Sequence, residues 1–193
     1  MALFLAKSTA LSLAATYAES KYGPSDTSGP LGVSSLFGLT PTIFSGLSFW
    51  VLAHGMKVGK ARAKYIELAK KDGEKDVEER YALPNLYAQG TSKYVREFNC
   101  VQRSHQHIFE TFTGAVLTGM VAAVNYPISA AATTLMYAVG RITLSNGYAA
   151  AEGDPMKRYA SPFARFMWYG YLGNIILSLL SCANMVAGKK LLW

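Results

Sequence analysis

Residues 111–140 read TFTGAVLTGMVAAVNYPISAAATTLMYAVG and contain no Asp, Glu, Lys or Arg. Pro127 interrupts this run near its middle, and Glu110 and Arg141 lie directly outside its two ends. Because proline ends one helix and is well tolerated at the start of the next, the run predicts two helices joined at residues 125–127. At about 1.5 Å of rise per residue, Glu110 and Arg141 each lie roughly 21–22 Å from that turn. We therefore predict that the two charges occupy the same depth in a bilayer.

A pair of opposite charges inside a membrane has two interpretations. An isolated charge at that depth costs several kcal/mol, so an intramembrane ionisable pair indicates a functional site by default. The same pair also serves as a structural contact between two helices. Depth alone does not separate these interpretations, so the residues around each charge have to decide between them.

The composition is typical of an integral membrane protein. Of the 193 residues, 51% are hydrophobic and only 16% are charged. A helix needs about 20 apolar residues to cross the hydrocarbon core of a bilayer. Three uncharged runs, the middle one broken at Pro127, predict four spans at roughly 34–56, 104–124, 128–148 and 164–187. We predict an all-α fold, an integral membrane four-helix bundle over residues 34–193, preceded by an N-terminal extension over residues 1–33.

The basic residues predict the orientation of the spans. If the first span ends before Lys57, segment 57–103 and the connection to the last span share one side and carry 14 Lys and Arg side chains, against 4 on the other side. Because cytoplasmic segments are enriched in basic residues, we expect 57–103 to face the cytosol or its equivalent, with both ends of the chain across the membrane. The net charge of +7 is then a signal of topology, and we predict no nucleic-acid partner.

Glu110 and Arg141 each belong to a polar face of a predicted helix. Polar residues of the second predicted span recur at helical spacing and share one face: Asn99, Arg103, Gln106, His107 and Glu110. The third predicted span has a matching face: Arg141, Leu144, Ser145 and Tyr148. A polar face inside a membrane has to meet another helix or an aqueous cavity. The two faces therefore predict a pocket for a small hydrophilic molecule, and the guanidinium groups of Arg103 and Arg141 favour an anion.

Four stretches make the chain similar to a known family. They are KVGKARAKY (57–65), FNCVQRSHQHIFE (98–110), VGRITLSNGY (139–148) and DPMKR (154–158). In order and spacing they resemble the MAPEG family, the membrane-associated proteins of eicosanoid and glutathione metabolism. The resemblance implies a homotrimer of four-helix subunits that binds glutathione, its co-substrate, between neighbouring subunits near the cytosolic face. It also implies a lipophilic substrate that arrives from the bilayer.

The resemblance assigns binding roles to particular residues. Arg103 and Glu110 match glutathione contacts of the family's second helix, and Arg141 and Tyr148 match contacts of its third helix. Three further residues assigned to the glutathione site share the motif of the second helix: Asn99, Gln106 and His107. Arg62 matches a basic residue of the family that reaches the site of a neighbouring subunit.

The catalytic assignment falls on a loop. Lys157 or Arg158 matches the loop arginine that holds the glutathione thiol as a thiolate. The thiolate is the nucleophile, and a nearby cation lowers the pKa of a thiol. No metal site is implied.

Departures from the family pattern support a second hypothesis. The family usually has Asn where this chain has His107 and Tyr where it has Leu144, and segment 149–154 is longer than in the nearest relatives. The first hypothesis is a membrane glutathione transferase or peroxidase that acts on lipophilic electrophiles or lipid hydroperoxides. The second is a catalytically weakened structural subunit of a larger membrane complex, for example a mitochondrial one.

Five local features complete the predictions. The charged stretch 71–80 is predicted to be a solvated loop, and residues 81–98, where Pro84 and Gly90 mark turns, are predicted to be irregular. The first 20 residues are typical of a weak targeting peptide, which fits a mitochondrial membrane as well as the endoplasmic reticulum. Cys100 and Cys182 fall on opposite sides of the membrane, so we expect free thiols. His54, at the predicted membrane exit, is interpreted as a polar tip that reaches the headgroups, in preference to a haem ligand paired with His107.

Overall fold

The computed structural model describes residues 2–24, 28–29 and 32–191, and its named elements there are helices, which confirms the all-α class. The α-helices are α1 (Ala2–Tyr22), α2 (Leu39–Lys71), α3 (Val77–Tyr81), α4 (Lys93–Asn125), α5 (Pro127–Ala149) and α6 (Phe166–Ala187). Short 3-10 turns cover Ser35–Gly38, Pro155–Tyr159 and Pro162–Arg165.

The predicted break near residue 127 is confirmed. Helix α4 ends at Asn125, and α5 begins at Pro127, where the missing proline N–H costs the helix no hydrogen bond. The turn is anchored to α6, since Nδ2 of Asn125 donates to Oγ of Ser181 at 2.7 Å. The hydroxyl of Ser181 donates in turn to the carbonyl of Val121 at 2.8 Å. The local hydrogen bonds thus hold the end of α4 against α6.

Three stretches among the described residues are long and apolar enough to cross a membrane: Ser35–Lys71, Lys93–Asn125 and Pro162–Ala187. They contain the second and fourth predicted spans and all of the first except residue 34. The third predicted span, 128–148, forms helix α5 but is not among the three. That α5 crosses the membrane therefore stays a prediction.

The chain is organised as two compact units. The first comprises Met1–Leu47, Thr111–Gly140 and Arg165–Trp193. In it α5 and α6 pack so closely that a Cβ at Gly170 would overlap the backbone of Tyr137, and a Cβ at Gly140 would overlap the backbone of Met167. These glycines permit direct contact between helix backbones, as small residues do in membrane proteins.

The second unit comprises Ser48–Glu110 and Arg141–Ala164 and has its own hydrophobic core. Its buried members are Val58, Tyr65, Ala69, Val77, Tyr81, Ala88, Val95, Phe98 and Val101. Two predictions were wrong in part here. We expected a solvated loop over residues 71–80, yet residues 77–81 form α3. We expected irregular chain over 81–98, yet α4 begins at Lys93.

The physical reason for the first error is the spacing within α3. Val77 and Tyr81 lie one helical turn apart, so both reach the core, where their exposed fractions are 4% and 1%. Charged residues between them had suggested full solvation. This burial raises the pKa of Tyr81 to about 12.

Candidate functional site

The predicted polar faces of α4 and α5 meet in the second unit. Arg141 is completely buried, and its Nη1 donates to Nδ1 of His107 at 2.7 Å and to the carbonyl of His107 at 3.2 Å. A guanidinium only donates hydrogen bonds, so Nδ1 of His107 accepts and the ring proton lies on Nε2. The side-chain oxygen of an Asn at this position would also be an acceptor. The residue at which the chain departs from the family pattern thus still provides an acceptor for Arg141.

Arg103 and Glu110 form an ion pair along the same face of α4. The distance from Nη1 of Arg103 to Oε1 of Glu110 is 2.5 Å, and the side chains are 33% and 45% exposed. Nε2 of His107 lies 3.6 Å from the other oxygen of Glu110. The sequence predicts that Glu110 and Arg141 lie at the same depth in the membrane. In the structure His107 lies between them, since its ring contacts Arg141 through Nδ1 and lies near Glu110 through Nε2. Unlike Arg141, Arg103 and Glu110 are open to a ligand.

Arg158 is directed at the end of α5. Its Nη1 donates to the hydroxyl of Tyr148 at 3.2 Å and to the carbonyl of Pro155 at 2.9 Å. The guanidinium carbon also lies 5.2 Å from the centre of the Tyr148 ring, within the range of a cation–π contact. Gly147 makes this approach possible, because a Cβ there would lie 3.0 Å from Cα of Arg158.

The side chain of Lys157 points to Glu152 and does not contact Tyr148. Its ammonium donates to Glu152 at 2.9 Å, and both side chains are largely exposed. The hydrogen bond and charge of Glu152 raise the pKa of Lys157, and the same contact lowers the pKa of Glu152. Of the two cations that the sequence left as alternatives, Arg158 is the one that contacts Tyr148.

An open cavity of about 270 Å³ lies beside these residues. Its lining contains the predicted Asn99, Arg103 and Tyr148 together with Arg96, Cys100, Gly153 and Pro155. The sequence does not predict Arg96 as a site residue, because the polar helix is predicted to begin at Asn99, whereas α4 begins at Lys93. The signal was nevertheless present, since residues 96, 99 and 103 follow helical spacing on one face.

Three other predicted site residues hold the segment between α3 and α4. Asn99 accepts from the amide of Ala88 at 2.9 Å and donates to its carbonyl at 3.0 Å. The hydroxyl of Tyr87 donates to Gln106. Arg62 donates to the carbonyl of Tyr81 and packs on the ring of Phe98, 4.7 Å from its centre. Their roles as ligands stay predictions, while their present contacts order residues 81–88.

Replacing Asn99 by Ala is expected to loosen this segment. Both backbone groups of Ala88, which is 4% exposed, would lose their partner, and each buried unsatisfied group costs about 1–3 kcal/mol. Hydrogen–deuterium exchange of residues 82–92 should accelerate in Asn99→Ala. Lys93→Ala, at a side chain 74% exposed at the start of the same helix, serves as the control and should leave the exchange unchanged. Equal exchange in both variants would contradict the role given to Asn99.

The prediction for His54 was wrong. Its ring is 2% exposed, stacks on Trp50 with ring centres 4.8 Å apart, and forms a 2.8 Å hydrogen bond through Nε2 with the hydroxyl of Ser104. The hydroxyl of Ser104 donates to the carbonyl of Val101 at 2.6 Å, so Nε2 of His54 is the donor to Ser104. His54 is a hydrogen-bonded core residue. The thiols of Cys100, which is buried, and Cys182, which is exposed, are both free, as predicted.

Most of the chain matches a known family. The model of the MAPEG family matches residues 40–181. The matched range contains every predicted site residue, from Arg62 to Arg158, and leaves out helix α1.

Proposed function

The chain belongs to the MAPEG family, and from this premise we propose that it is a membrane-bound glutathione transferase or peroxidase. Its substrates would be lipophilic electrophiles or lipid hydroperoxides, with the glutathione thiolate as the nucleophile. Family membership and three apolar helices make the chain an integral membrane protein, so a substrate dissolved in the bilayer has direct access to it. Within the family, the four motifs favour a resemblance to microsomal glutathione S-transferase 3.

The observation that carries the proposal is the contact of Arg158 with Tyr148 beside a cavity that also contains Arg103. Arginine stays protonated at every physiological pH, so it offers a permanent positive charge. A thiol held near that charge ionises more readily and becomes a nucleophile. We assign the activating role to Arg158 and give Lys157 no part in it.

Glutathione carries two carboxylates and one ammonium group at neutral pH, and the open ion pair on α4 matches both signs. Arg103 would bind a carboxylate and Glu110 the ammonium, so the ligand would replace their mutual contact. Arg141 is buried, and we propose that it orients His107, with a direct contact to glutathione only after rearrangement. Asn99 and Gln106 would contribute once the segment that they hold moves aside.

The reaction itself is a nucleophilic displacement. With an electrophile, the thiolate sulfur forms a bond to the electrophilic carbon and the leaving group departs with the bonding electrons. With a hydroperoxide, the sulfur attacks the terminal oxygen, which yields an alcohol after protonation and glutathione sulfenic acid. A second glutathione then reduces the sulfenic acid to give glutathione disulfide and water.

We further propose the family's assembly for this chain, a homotrimer in which Arg62 reaches a neighbouring subunit. The location would be the endoplasmic reticulum or a mitochondrial membrane, with segment 57–103 on the cytosolic or equivalent side. The excess of basic residues in this segment and in the connection before α6 supports that orientation.

Calorimetric titration of the purified protein with glutathione tests the binding step. Wild type is expected to bind, and Arg103→Gln should bind about 10- to 100-fold more weakly, the equivalent of a lost charge-assisted hydrogen bond. Arg96→Gln, a neighbour in the same cavity with no partner assigned from glutathione, should change affinity less. Absence of binding by wild type at millimolar glutathione would refute the proposal.

The second candidate function, a structural subunit of a larger membrane complex, has its own support. Leu144 is completely buried and supplies no hydroxyl, while Asn99, Gln106 and Arg62 are engaged within the chain itself. Under this hypothesis, mild detergent extraction of native membranes would recover the chain only together with other polypeptides, and glutathione would not bind.

A further inference from the structure

Helix α1 lies outside the family match, and its contacts in the first unit give it a defined place. We propose that α1 is a retained helix that crosses the bilayer, with acyl chains as the partner of its outer face. The end of α1 at residue 2 would lie on the same side of the membrane as the connection between α5 and α6.

The contacts along α1 set its direction. Near its start, the ring of Phe4 lies 4.4 Å from that of Tyr169 in the first turn of α6. In its middle, Ser12 lies beside Gly173. Near its end, the two oxygens of Glu19 accept from the amides of Ile128 and Ser129, each at 2.8 Å, at the start of α5. Helix α1 therefore runs parallel to α6 and antiparallel to α5.

This arrangement extends over most of a bilayer. The 15 residues from Phe4 to Glu19 rise about 22 Å, and the whole 21-residue helix about 31 Å, close to the thickness of the hydrocarbon core. The start of α6 follows the basic connection before it, and the start of α5 follows the turn at Pro127 on the far side. The two ends of α1 thus lie at opposite ends of the same helices.

The distribution of polar and apolar side chains on α1 is that of a helix in lipid. Its buried residues are hydroxyl-bearing and spaced one turn apart: Ser8, Ser12 and Thr16. Three of its four leucines point outward, with Leu3, Leu5 and Leu11 between 49% and 70% exposed. In water this pattern would bury polar groups and expose apolar ones, whereas in a bilayer small polar residues pack between helices and leucines face acyl chains.

Helix α5 has the same distribution. Ser129, Thr133 and Thr134 are buried, while Leu135 and Val139 are exposed. Hydroxyl groups lower the average hydropathy of both helices although they are hidden from lipid. Together with the charges of Lys7, Glu19 and Arg141, they keep both helices out of the three that are apolar enough by composition. The exposed apolar side chains of α1 and α5 support membrane crossing by both.

The charges of α1 lie toward its ends, where a membrane tolerates them. Residues 8–18 carry none, and exposed Lys7 is near enough to the start for its ammonium to reach the headgroups. Glu19 is compensated by two backbone amides at the positive end of the α5 dipole. Placing Lys7 on the basic side changes the predicted distribution of 14 against 4 to 15 against 3, which strengthens the asymmetry.

The proposal corrects one feature of the topology expected from sequence. Both ends of the chain were expected on the side opposite to segment 57–103. With α1 as an additional crossing, residue 2 lies on the same side as that segment, while Tyr22 and Lys190 lie across the membrane.

Cysteine labelling of the full chain in sealed membrane vesicles tests this. The background carries Cys100→Ser and Cys182→Ser, and single cysteines are introduced as Ala2→Cys, Tyr22→Cys, Lys75→Cys or Lys190→Cys, all at exposed positions. A membrane-impermeant thiol reagent is applied before and after permeabilisation. Ala2→Cys is expected to label with the sidedness of Lys75→Cys, and Tyr22→Cys with that of Lys190→Cys.

Two results would overturn the proposal. Labelling of Ala2→Cys and Tyr22→Cys from one side would show that α1 does not cross, and labelling with exchanged sidedness would show the opposite direction. The mass of the wild-type chain purified from its membrane provides a readout that needs no variant. A mature chain that begins after Tyr22 would equally refute a retained helix.

Discussion

Arg158→Gln is expected to lower glutathione-conjugating activity about 100-fold, while Lys157→Gln is expected to leave it within about twofold of wild type. The loss of one preorganised electrostatic contact to a developing or reacting charge typically costs that much in rate. Arg158 contacts Tyr148 at the cavity, whereas Lys157 is paired with exposed Glu152. The two residues are adjacent in sequence and carry the same charge, so each is a control for the other.

The pH dependence separates activation from structural damage. Near Arg158 the pKa of the glutathione thiol is expected to fall below its ordinary value, so the rate of the wild-type enzyme should reach its maximum at a lower pH. In Arg158→Gln the rate should rise only as pH approaches the ordinary thiol pKa of about 8.5. Initial rates with an aryl chloride and with cumene hydroperoxide between pH 6 and 9 provide the measurement. Loss of activity in Lys157→Gln with retention in Arg158→Gln would move the activating role to Lys157.

Gly170→Ala is expected to destabilise the protein by about 3 kcal/mol, with Gly140→Ala close behind. The added methyl group would overlap backbone atoms of the facing helix at both positions, and a backbone cannot rotate out of the way as a side chain can. The helices would have to separate, which would also disturb the contacts around Tyr137. A loss of this size corresponds to a fall in Tm of roughly 6–12 °C for a chain of this length.

Gly46→Ala is the matched control. Gly46 lies in helix α2, in the same unit, and a Cβ there has nothing within 4 Å. Alanine favours a helix over glycine by about 1 kcal/mol, so this variant should be unchanged or slightly more stable. Thermal denaturation in detergent, followed by circular dichroism, compares the three variants. A Gly170→Ala protein as stable as Gly46→Ala would show that α5 and α6 do not approach as described.

The predicted polar faces are present in the structure, but their side chains pair differently from the prediction. Helical spacing alone placed Arg103, His107 and Glu110 on one side of α4, and the structure has them there. The sequence coupled Glu110 to Arg141 because the two are equally far from Pro127. Spacing cannot tell which of several neighbours on a face a long side chain will contact, since rotamers and packing choose among them. In the structure His107 contacts Arg141, and Arg103 contacts Glu110.

The errors have a common physical origin. The charges of segment 71–80 predict a solvated loop, but Val77 and Tyr81, at helical spacing, are buried and hold α3 against the core. His54 was read as a membrane-exit residue, but Ser104 lies within hydrogen-bond distance and Trp50 covers the ring. In both cases the partner is distant in sequence or hidden by polar neighbours, so no local pattern reveals it.

Taken alone, the sequence determined that the chain is helical and membrane-bound, that its central apolar run breaks at Pro127, and that polar faces flank that break. These properties depend on local hydropathy and on the geometry of proline, which act within a few residues. Only the tertiary structure decided that Arg158 contacts Tyr148 while Lys157 does not, and that the hydroxyl groups of α1 face inward. Such choices depend on which surfaces meet after folding, because a side chain one position away along the chain can point in a different direction in space.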